Sequence, residues 1–494
     1  MTPRLEHIPD NVLLVDLIHR AVKRLFEGDG TNGPIAPSVR VINLSIGDPN
    51  RPFLQSISPL ARLLDWLSQT YNVLFIISAG NHSNAIQLDI SQNVFESYNQ
   101  EKKEATVVKA LFADCVNRRI LSPAESINGL TVGSVQYDSS QFNPINKHSG
   151  FNPFLHSLPS PISAFGSGYR RSIKPDIVFP GGMVLYKEVL KSLSSDNYAI
   201  EPLGIPIRRQ PPGNKTAIPP QQAISTKAVG YSCGTSNATA LISHAAGICY
   251  EYLQQIFAEQ TVDVSLRACE VPLLKAMLVH SCSWGDMGSR ISEILYTSKN
   301  KRKLSGLISR WIGYGTPELG RVLNCTEQRA TVLGFGQLSD GEANVFNLPL
   351  PPSLGSRREW RRLTATMAWL SPISAGTQRY RTANLWFEIL GVPVVPNRKE
   401  SCSGNDGWHT VRRGTVQHEV FEGKRAEPLI DGEVLRIKVN CSKDAGRIQN
   451  PVTYGLVVSL EVAEGVNIPV YNEIKTRITT TIQIQPTTNQ KKGN

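Results

Sequence analysis

The first half of the chain alternates between short apolar runs and longer segments in which apolar residues recur at helical spacing. The helical pattern covers residues 11–27 and 59–70, where apolar side chains lie three and four positions apart. The short runs are rich in β-branched residues and cover 39–46, 73–77 and Leu130–Val135. Such runs, alternating with amphipathic helices, are typical of a parallel sheet covered by helices on both faces. We therefore predict an α/β fold.

Further segments complete this part of the chain. Residues 94–118 are polar with a helical pattern, and the small and apolar residues of 237–256 and 271–281 predict two more helices, the first of them buried. Residues 183–230 are rich in proline, glycine and glutamine, and we interpret them as an insertion. The α/β domain is predicted to span residues 1–330.

After residue 325 the hydrophobic period changes to two. Apolar residues alternate with polar or small ones in three segments, 363–369, 435–441 and 478–484. This period, with glycine, proline and asparagine between the runs, predicts an antiparallel β-sandwich. We place the sandwich at 355–486, after a proline-rich linker at 348–354 and before a loose polar tail at 487–494.

The composition is that of a globular protein. Of the 494 residues, 40% are hydrophobic and 19% are charged, which excludes a disordered or fibrous chain. The 52 lysines and arginines exceed the 41 acidic residues by 11, but they cluster only in short runs at 299–303 and 357–362. We interpret these runs as solvated loops and strand edges, and we expect no nucleic-acid partner.

Several other patterns are missing from the sequence. No run of 18 apolar residues occurs, so no membrane partner is expected. The eight cysteines include no CxxC pair, which favours reduced thiols and a cytoplasmic location. Because the standard zinc and nucleotide motifs and any compact aspartate-rich loop are also missing, we expect no metal and no cofactor.

Two short polar segments are expected to meet at the carboxyl edge of the predicted sheet, where ligands bind in open parallel sheets. Ser-Ala-Gly-Asn at 78–81 ends an apolar strand, and Gly-Thr-Ser at 234–236 begins a helix. A serine at a helix N-terminus beside an asparagine amide can form an oxyanion hole. Ser236 would then be the nucleophile, and Asn81 would stabilise the tetrahedral intermediate. Taken singly, each segment is better explained as a turn or a helix cap, and only their joint appearance favours a site.

Five segments in order resemble the subtilisin-like serine proteases, the subtilase family or peptidase S8. They are the groove strand 41–47, the asparagine segment 78–81, the core strand 127–135, the Lys-Pro-Asp block 174–182 and the serine block 234–236. Residues 313–322 fit the closing segment of that catalytic domain. The resemblance covers about residues 10–330 and implies a subtilisin-like fold with serine-type endopeptidase activity through an acyl-enzyme.

The resemblance also implies the residues of the site. Ser236 would be the nucleophile and Asn81 the oxyanion donor, and an extended polypeptide substrate would pair with the backbone of the groove strand. The residues implied in substrate binding are Ser45, Ile46, Gly47, Ser78, Ala79, Gly80, Gly234 and Thr235.

The sequence departs from the family in two ways. The helix after Ser236 lacks the usual proline, which affects local packing. The triad aspartate and histidine of the family precede the groove strand, but of the candidates there, His7 and His19 are not followed by Gly-Thr, and Asp10 and Asp16 lack the usual Asp-Ser/Thr-Gly setting. The chain therefore resembles a subtilase that lacks the N-terminal part carrying the triad aspartate and histidine.

None of the other histidines weighed as a base is favoured. His82 is expected to point away from the site, His244 to lie deep on the serine helix, His280 on another apolar helix and His148 in a loop. A serine without its base is a poor nucleophile at neutral pH. We therefore expect the chain alone to be inactive or weakly active.

Three interpretations remain open. The chain is a truncated endopeptidase, a split enzyme completed by a complementing N-terminal chain, or a non-catalytic peptide-binding or scaffold protein. Resemblance to large cytosolic bacterial subtilases also allows an AAA-type ATPase as a partner. Loss of strands beside 39–46 would leave an unpaired sheet edge, so we expect aggregation or dependence on a partner.

Overall fold

The computed structural model describes most of the chain. The described residues are 8, 11–137, 140, 150–189, 198–203, 210–218, 228–259, 264–301, 303–355, 357, 359–390, 398–399, 413–423, 434–479 and 486–487. The helices are α1 Leu14–Phe26, α2 Pro59–Tyr71, α3 Gln92–Ser97, α4 Gln100–Ala113, α5 Thr235–Glu259, α6 Glu270–His280, α7 Gly285–Leu295, α8 Leu304–Ile312, α9 Gly320–Leu323 and α10 Val470–Thr479.

The strands fall into an α/β part and an all-β part. The first set is β1 Val41–Leu44, β2 Asp48–Pro52, β3 Leu74–Ser78, β4 Ile86–Leu88, β5 Leu121–Ser122, β6 Leu130–Val135, β7 Ile177–Pro180, β8 Tyr186–Glu188, β9 Tyr198–Pro202, β10 Asn214–Ala217, β11 Val229–Ser232, β12 Cys282–Ser283 and β13 Thr316–Pro317. The second set is β14 Arg329–Leu338, β15 Ala343–Pro349, β16 Arg361–Trp369, β17 Ala383–Leu390, β18 Arg398–Lys399, β19 Val416–Gly423, β20 Val434–Lys443, β21 Val452–Val462 and β22 Pro486–Thr487.

A four-stranded parallel sheet in the order β1-β3-β6-β7 organises the α/β part. Alternate residues of β3 point to opposite faces, as the strand period of two requires. Leu74 and Ile76 pack in the cluster with α5 and α6, whereas Phe75 and Ile77 pack with α1 and α2. The prediction of an α/β fold with helices on both faces of a parallel sheet is confirmed.

The all-β part consists of two antiparallel sheets with a shared apolar core. Their orders are β14-β21-β16-β19-β18 and β17-β20-β15-β22. Helix α6 lies directly on β21, because a Cβ built on Gly455 would come within 2.3 Å of the Cα of Leu273. The β-sandwich is therefore packed on the same helix layer that covers the parallel sheet.

Several predicted elements differ from the structure. The helix predicted at 94–118 is two helices, because Asn99 caps α4 by accepting a hydrogen bond from Lys102 N at 2.9 Å. The helix from 237 was predicted as buried, but Leu241 and Ile248 on its outer face are about 40% exposed. The insertion predicted at 183–230 contains the short strands β8, β9 and β10 and the first two residues of β11.

The sandwich also differs from its prediction. Its strands begin with β14 and β15, before residue 355, so residues 348 and 349 are the end of a strand rather than a linker. The strand predicted at 478–484 is wrong at Ile478, which lies in α10, and residues 480–485 are outside the described part. Val470 and Ile474 of α10 are buried one helical turn apart against the sandwich.

Candidate active site

The carboxyl ends of β1 and β3 and the N-terminus of α5 lie at one edge of the parallel sheet. The Ser45 hydroxyl donates to the side-chain oxygen of Asn43 at 2.7 Å, and its oxygen also lies 3.4 Å from the backbone oxygen of Ser236. The Ser78 hydroxyl donates to the backbone oxygen of Ile46 at 3.4 Å. The segment that follows β1 therefore lies between the end of β3 and the first turn of α5.

Asn81 is held from one side by the residue that precedes Ser236. The backbone N–H and the hydroxyl of Thr235 both donate to Asn81 Oδ1, at 2.9 and 3.1 Å. The same hydroxyl accepts the backbone N–H of Gly80 at 3.3 Å. Since these donors fix the carboxamide oxygen, the orientation of the amide nitrogen Nδ2 is fixed as well. Among the described residues, Nδ2 has no acceptor, so its N–H groups remain available to a ligand.

The close approach of the two segments requires glycine at position 234. Gly234 has a φ of +137°, and a Cβ built there would lie 2.9 Å from Asn81 Nδ2. A side chain at this position would push the carboxamide out of place. The backbone N–H of Gly234 is in turn anchored on the carbonyl of Gly181, just after β7, at 2.8 Å.

Leu121 forms a wall of the site that the sequence analysis did not identify. Its backbone N–H donates to the carbonyl of Ala79 at 2.9 Å, and β5 pairs with β2. A Cβ on Gly80, which has a φ of +105°, would lie 2.6 Å from Leu121 Cγ, and a Cβ on Gly47 would lie 3.4 Å from Leu121 Cβ. Leu121 is a single leucine between a predicted helix and a predicted strand, so nothing in the sequence marks it as part of the site.

The Lys-Pro-Asp block contributes structure. Lys174 Nζ lies 2.6 Å from Asp176 Oδ2 and also donates to the Gly129 carbonyl at 3.1 Å and the Thr131 hydroxyl at 3.0 Å. The backbone N–H of Thr131 donates to the same Asp176 oxygen at 2.6 Å. This buried ion pair joins β6 to β7. Because both charged groups are occupied by these contacts, neither is a candidate base.

Ser236 is the second residue of α5 and is half-buried. Its backbone N–H belongs to the first turn, where N–H groups lack partners within the helix and the helix dipole is positive. The hydroxyl of Ser236 has no hydrogen-bond partner among the described residues. The structure thus brings all ten predicted site residues to one edge, where neither the Ser236 hydroxyl nor the amide nitrogen of Asn81 has a partner among the described residues.

Histidines within the described residues contact other groups. His82 Nε2 lies 2.7 Å from the carbonyl of Arg119, and burial lowers the pKa of His82. His19 packs edge-on against Trp66 with ring centroids 5.7 Å apart. His244 is exposed, which corrects the expectation of a buried position. It lies about 12 Å along the helix from Ser236.

The other described histidines, His156, His280 and His418, are each hydrogen-bonded to another side chain, and His418 Nδ1 lies 2.7 Å from the Thr366 hydroxyl. His280 bonds to the hydroxyls of Thr366 and Ser459 of the sandwich, at 2.9 and 2.6 Å, and burial lowers its pKa. His156 Nδ1 lies 2.9 Å from Glu104. His7 and His148, weighed from the sequence, lie outside the described residues.

Within the described residues, no three His, Cys, Asp or Glu side chains are grouped so as to hold a metal ion. In the same part of the chain, no helix combines the length and apolar character needed to cross a bilayer.

Comparison with known proteins supports the resemblance found in the sequence. A sequence model of the subtilase family, Peptidase S8, matches residues 16–315. An uncharacterised protein of Sinorhizobium fredii, y4bN, is 22% identical over 411 residues, which are 82% of this chain and 80% of that protein.

Two solved structures are similar to parts of this chain, at low identity and low TM-score. A protease of Pseudoalteromonas arctica is 14% identical with a TM-score of 0.26, over 55% of this chain and 52% of that one, so the match spans about half of that protease. MycP1 without its N-terminal propeptide is also 14% identical, with a TM-score of 0.28, over 63% of this chain and 67% of the other.

Proposed function

Because this chain belongs to the subtilase family, we propose that it is a serine-type endopeptidase with Ser236 as nucleophile and Asn81 in the oxyanion hole. The observation that carries the proposal is the pair of hydrogen bonds from Thr235 to Asn81 Oδ1. They leave the amide N–H groups of Asn81 without an acceptor among the described residues, beside the helix turn that carries the Ser236 hydroxyl.

In the proposed reaction the Ser236 hydroxyl oxygen attacks the scissile carbonyl carbon and loses its proton to a base. The carbonyl oxygen becomes an oxyanion, which accepts hydrogen bonds from Asn81 Nδ2 and from the backbone N–H of Ser236. Collapse breaks the C–N bond, and the amine leaves with a proton. Water then hydrolyses the acyl-enzyme. Loss of one oxyanion donor costs about 3–4 kcal/mol of barrier in such enzymes.

The substrate would bind as an added strand along residues 45–47. β1 pairs only with β3 among the described strands, so one of its edges carries backbone groups that are open to pairing. Ile46 is 38% exposed, so this segment faces solvent. Backbone hydrogen bonds to an extended polypeptide would provide affinity there.

No described side chain is hydrogen-bonded to the Ser236 hydroxyl, so the described residues identify no proton acceptor for the reaction. His82, His156 and His280 are bonded elsewhere. We therefore propose that the base and its orienting carboxylate come from outside the described residues, through a complementing N-terminal chain or an assembly with an AAA-type ATPase. The seven cysteines of the described part are free thiols, which supports a cytoplasmic setting.

The lack of a described imidazole at Ser236 also favours a second candidate, a non-catalytic peptide-binding protein. Labelling with a fluorophosphonate probe, with and without added imidazole as an external base, separates the two. The proposed enzyme labels slowly alone and faster with imidazole, and Ser236→Ala abolishes both reactions. Asn81→Ala keeps the serine but lowers the rate by about 10²–10³.

A labelling rate that is the same in wild type, Ser236→Ala and Asn81→Ala would overturn the enzyme proposal. If all three proteins still bind an extended peptide, the non-catalytic function is favoured instead. Fast labelling of Ser236 in the chain alone, without imidazole, would contradict the proposal that its base lies outside the described residues.

A further inference from the structure

A second concavity lies between the α/β part and the sandwich, with a volume of about 1330 Å³. Its walls are residues 53–57 after β2, the loop 166–174, the start and end of α8, and residues 375–378 of the sandwich. Eight lysines and arginines line it, whereas its described lining contains no aspartate or glutamate. We call it the basic cleft.

Most of these cations have no acidic partner in the part of the chain that the structure describes. Arg170 pairs with Asp444 at 2.9 Å, and Lys174 pairs with Asp176 at 2.6 Å. The other six form no ion pair with any described residue: Arg62, Arg119, Arg171, Lys303, Arg310 and Arg413. Six unpaired like charges around one concavity produce a field that attracts anionic ligands.

The loop 166–174 is built so that its side chains are presented to the cleft. Arg170 and Arg171 have φ values of 51° and 63°, a left-handed conformation that costs a non-glycine residue about 1–3 kcal/mol. The loop is tied to the sandwich by the Tyr169 hydroxyl, which donates to the Gln378 carbonyl at 2.9 Å. In the same loop the buried hydroxyl of Ser172, 2% exposed, has no hydrogen-bond partner among the described residues.

The shape and chemistry of the cleft restrict its ligand. Five of the six unpaired cations are arginines, whose planar guanidinium groups bind carboxylates and phosphates through two parallel hydrogen bonds. The aromatic residues of the lining, Phe53, Tyr169 and Tyr380, are at most 5% exposed, so they offer no face on which bases could stack. The volume also exceeds the ~300–1,000 Å³ of small-molecule pockets. A polypeptide with several carboxylates fits these features better than a nucleic acid.

Residues 119–121 connect the lining of the cleft to the candidate active site. Phe53, which follows β2, donates its N–H to the carbonyl of Ile120 at 2.8 Å, and Arg119 and Leu121 flank that residue. Leu121 is the wall of the active site beside Gly80, whereas Arg119 lines the cleft. A polypeptide lying along residues 45–47 can therefore reach the cleft by following the β2–β5 ribbon.

We infer that the basic cleft binds an acidic, Asp/Glu-rich segment of the polypeptide substrate. The inference rests on the proposed function only in assigning that segment to the substrate. Binding at the cleft requires neither the Ser236 hydroxyl nor the base, so it is measurable without catalysis.

The test measures binding of a fluorescein-labelled peptide of alternating Glu and Gly, with a Gln/Gly peptide of the same length as reference. The cleft variant is Arg171→Glu/Arg310→Glu/Arg413→Glu. The matched control is Lys109→Glu/Lys215→Glu/Arg436→Glu, which changes the charge equally at exposed positions outside the cleft. Fluorescence anisotropy is read at about 0.15 M salt, where distant surface charges are largely screened, and circular dichroism checks that each variant is folded.

We expect the Glu peptide to bind wild type and Ser236→Ala equally, and the Gln peptide at least about tenfold more weakly. The cleft variant should lose at least about tenfold in affinity, and the control about twofold or less. Equal losses in the two triple variants, no binding of the Glu peptide, or tighter binding of a single-stranded oligonucleotide would each overturn the inference. Because Ser236→Ala keeps the peptide affinity, failure of the labelling experiment is distinguishable from failure of this one.

Discussion

Two polar clusters flank the parallel sheet, and they differ in what their hydrogen-bonding groups face. At the carboxyl edge, Thr235 holds the oxygen of Asn81, while the amide N–H groups of Asn81 and the hydroxyl of Ser236 have no partner among the described residues. At the contact with the sandwich, Asp65 and Lys275 are buried and bonded on every side. The first arrangement suits a transient ligand, and the second suits a permanent contact.

The carboxylate of Asp65 accepts hydrogen bonds from four donors. Its carboxylate accepts from the Ser126 hydroxyl at 2.6 Å, the Asn128 N–H at 2.8 Å and the Ile127 N–H at 3.2 Å. Tyr380 of the sandwich donates to it at 2.7 Å. Burial raises the pKa of Asp65. A group with a shifted pKa is therefore found here in a structural position, away from the candidate active site.

The ammonium group of Lys275 likewise has no N–H group left for a ligand. Its three N–H groups donate to the carbonyls of Ile127 and Asn128, at 3.2 and 2.9 Å, and to the Thr415 hydroxyl at 2.8 Å. Burial lowers the pKa of Lys275 to about 7. Stability and reactivity therefore depend on different polar clusters at the same sheet. Substitutions in the two clusters should have different effects.

The largest expected effect is the loss of stability in Asp65→Ala. The change leaves the Tyr380 hydroxyl and the backbone N–H of Asn128 buried without an acceptor, which costs about 3–5 kcal/mol of the free energy of unfolding. Urea denaturation measures it. Asp16→Ala, which removes an exposed helical carboxylate paired with Arg20, should cost less than about 0.5 kcal/mol. Similar costs for both variants would contradict the structural role of Asp65.

Gly234→Ala should lower the reactivity of Ser236. The new Cβ would lie 2.9 Å from Asn81 Nδ2, so we expect imidazole-assisted labelling to fall by about 10²-fold or more, as for the loss of an oxyanion donor. The control is Gly465→Ala, with a φ of +79° and no atom within 4 Å of the new Cβ. It introduces similar backbone strain, but its labelling rate should stay at the wild-type value. Retained labelling in Gly234→Ala would show that the carboxamide position is unimportant.

The pH dependence of stability reports the pKa of Lys275 in the folded state. Because its pKa is about 7 in the folded state and 10.5 when exposed, the unfolded chain binds more protons between these values. The free energy of unfolding of wild type should therefore rise with pH in this window, by up to about 1.4 kcal/mol per pH unit, relative to Lys275→Met. Parallel curves for the two proteins would mean that Lys275 has an ordinary pKa in the folded state.

The smallest expected effect is that of Thr235→Val. It removes the hydroxyl that donates to Asn81 Oδ1 but keeps the backbone N–H donor, so labelling should fall by about fivefold, or ~1 kcal/mol. Thr235→Ser restores the hydroxyl and should recover most of the rate. Equal rates in the Val and Ser variants would exclude a positioning role for this hydroxyl.

Sequence patterns predicted the α/β part well because each strand there is short, buried and bounded by turns. Leu130–Val135 has the predicted bounds, and β3 differs from its prediction by one residue at each end. The polar segments at 78–81 and 234–236 were expected at one edge because parallel strands end together. The orientation of the Asn81 amide could not be predicted from the sequence, because it depends on contacts with Thr235.

Other parts were outside the reach of sequence patterns. Most residues of β14 are half-buried, so its sequence shows no alternation that would indicate a strand. The burial of Val470 and Ile474 follows a helical spacing that the alternating residues after 478 obscured. The basic cleft combines cations from separate segments, such as Arg62, Arg171 and Arg413, which only folding brings to one concavity.

The most direct test of the central claim is a crystal structure of the protein after reaction with a peptidyl fluorophosphonate in imidazole buffer. We expect the phosphorus to be bonded to the Ser236 hydroxyl oxygen, with the phosphoryl oxygen within about 3 Å of both Asn81 Nδ2 and the Ser236 N–H. An adduct on another side chain, or a phosphoryl oxygen turned away from Asn81, would contradict the claim that this amide and this hydroxyl serve one carbonyl group.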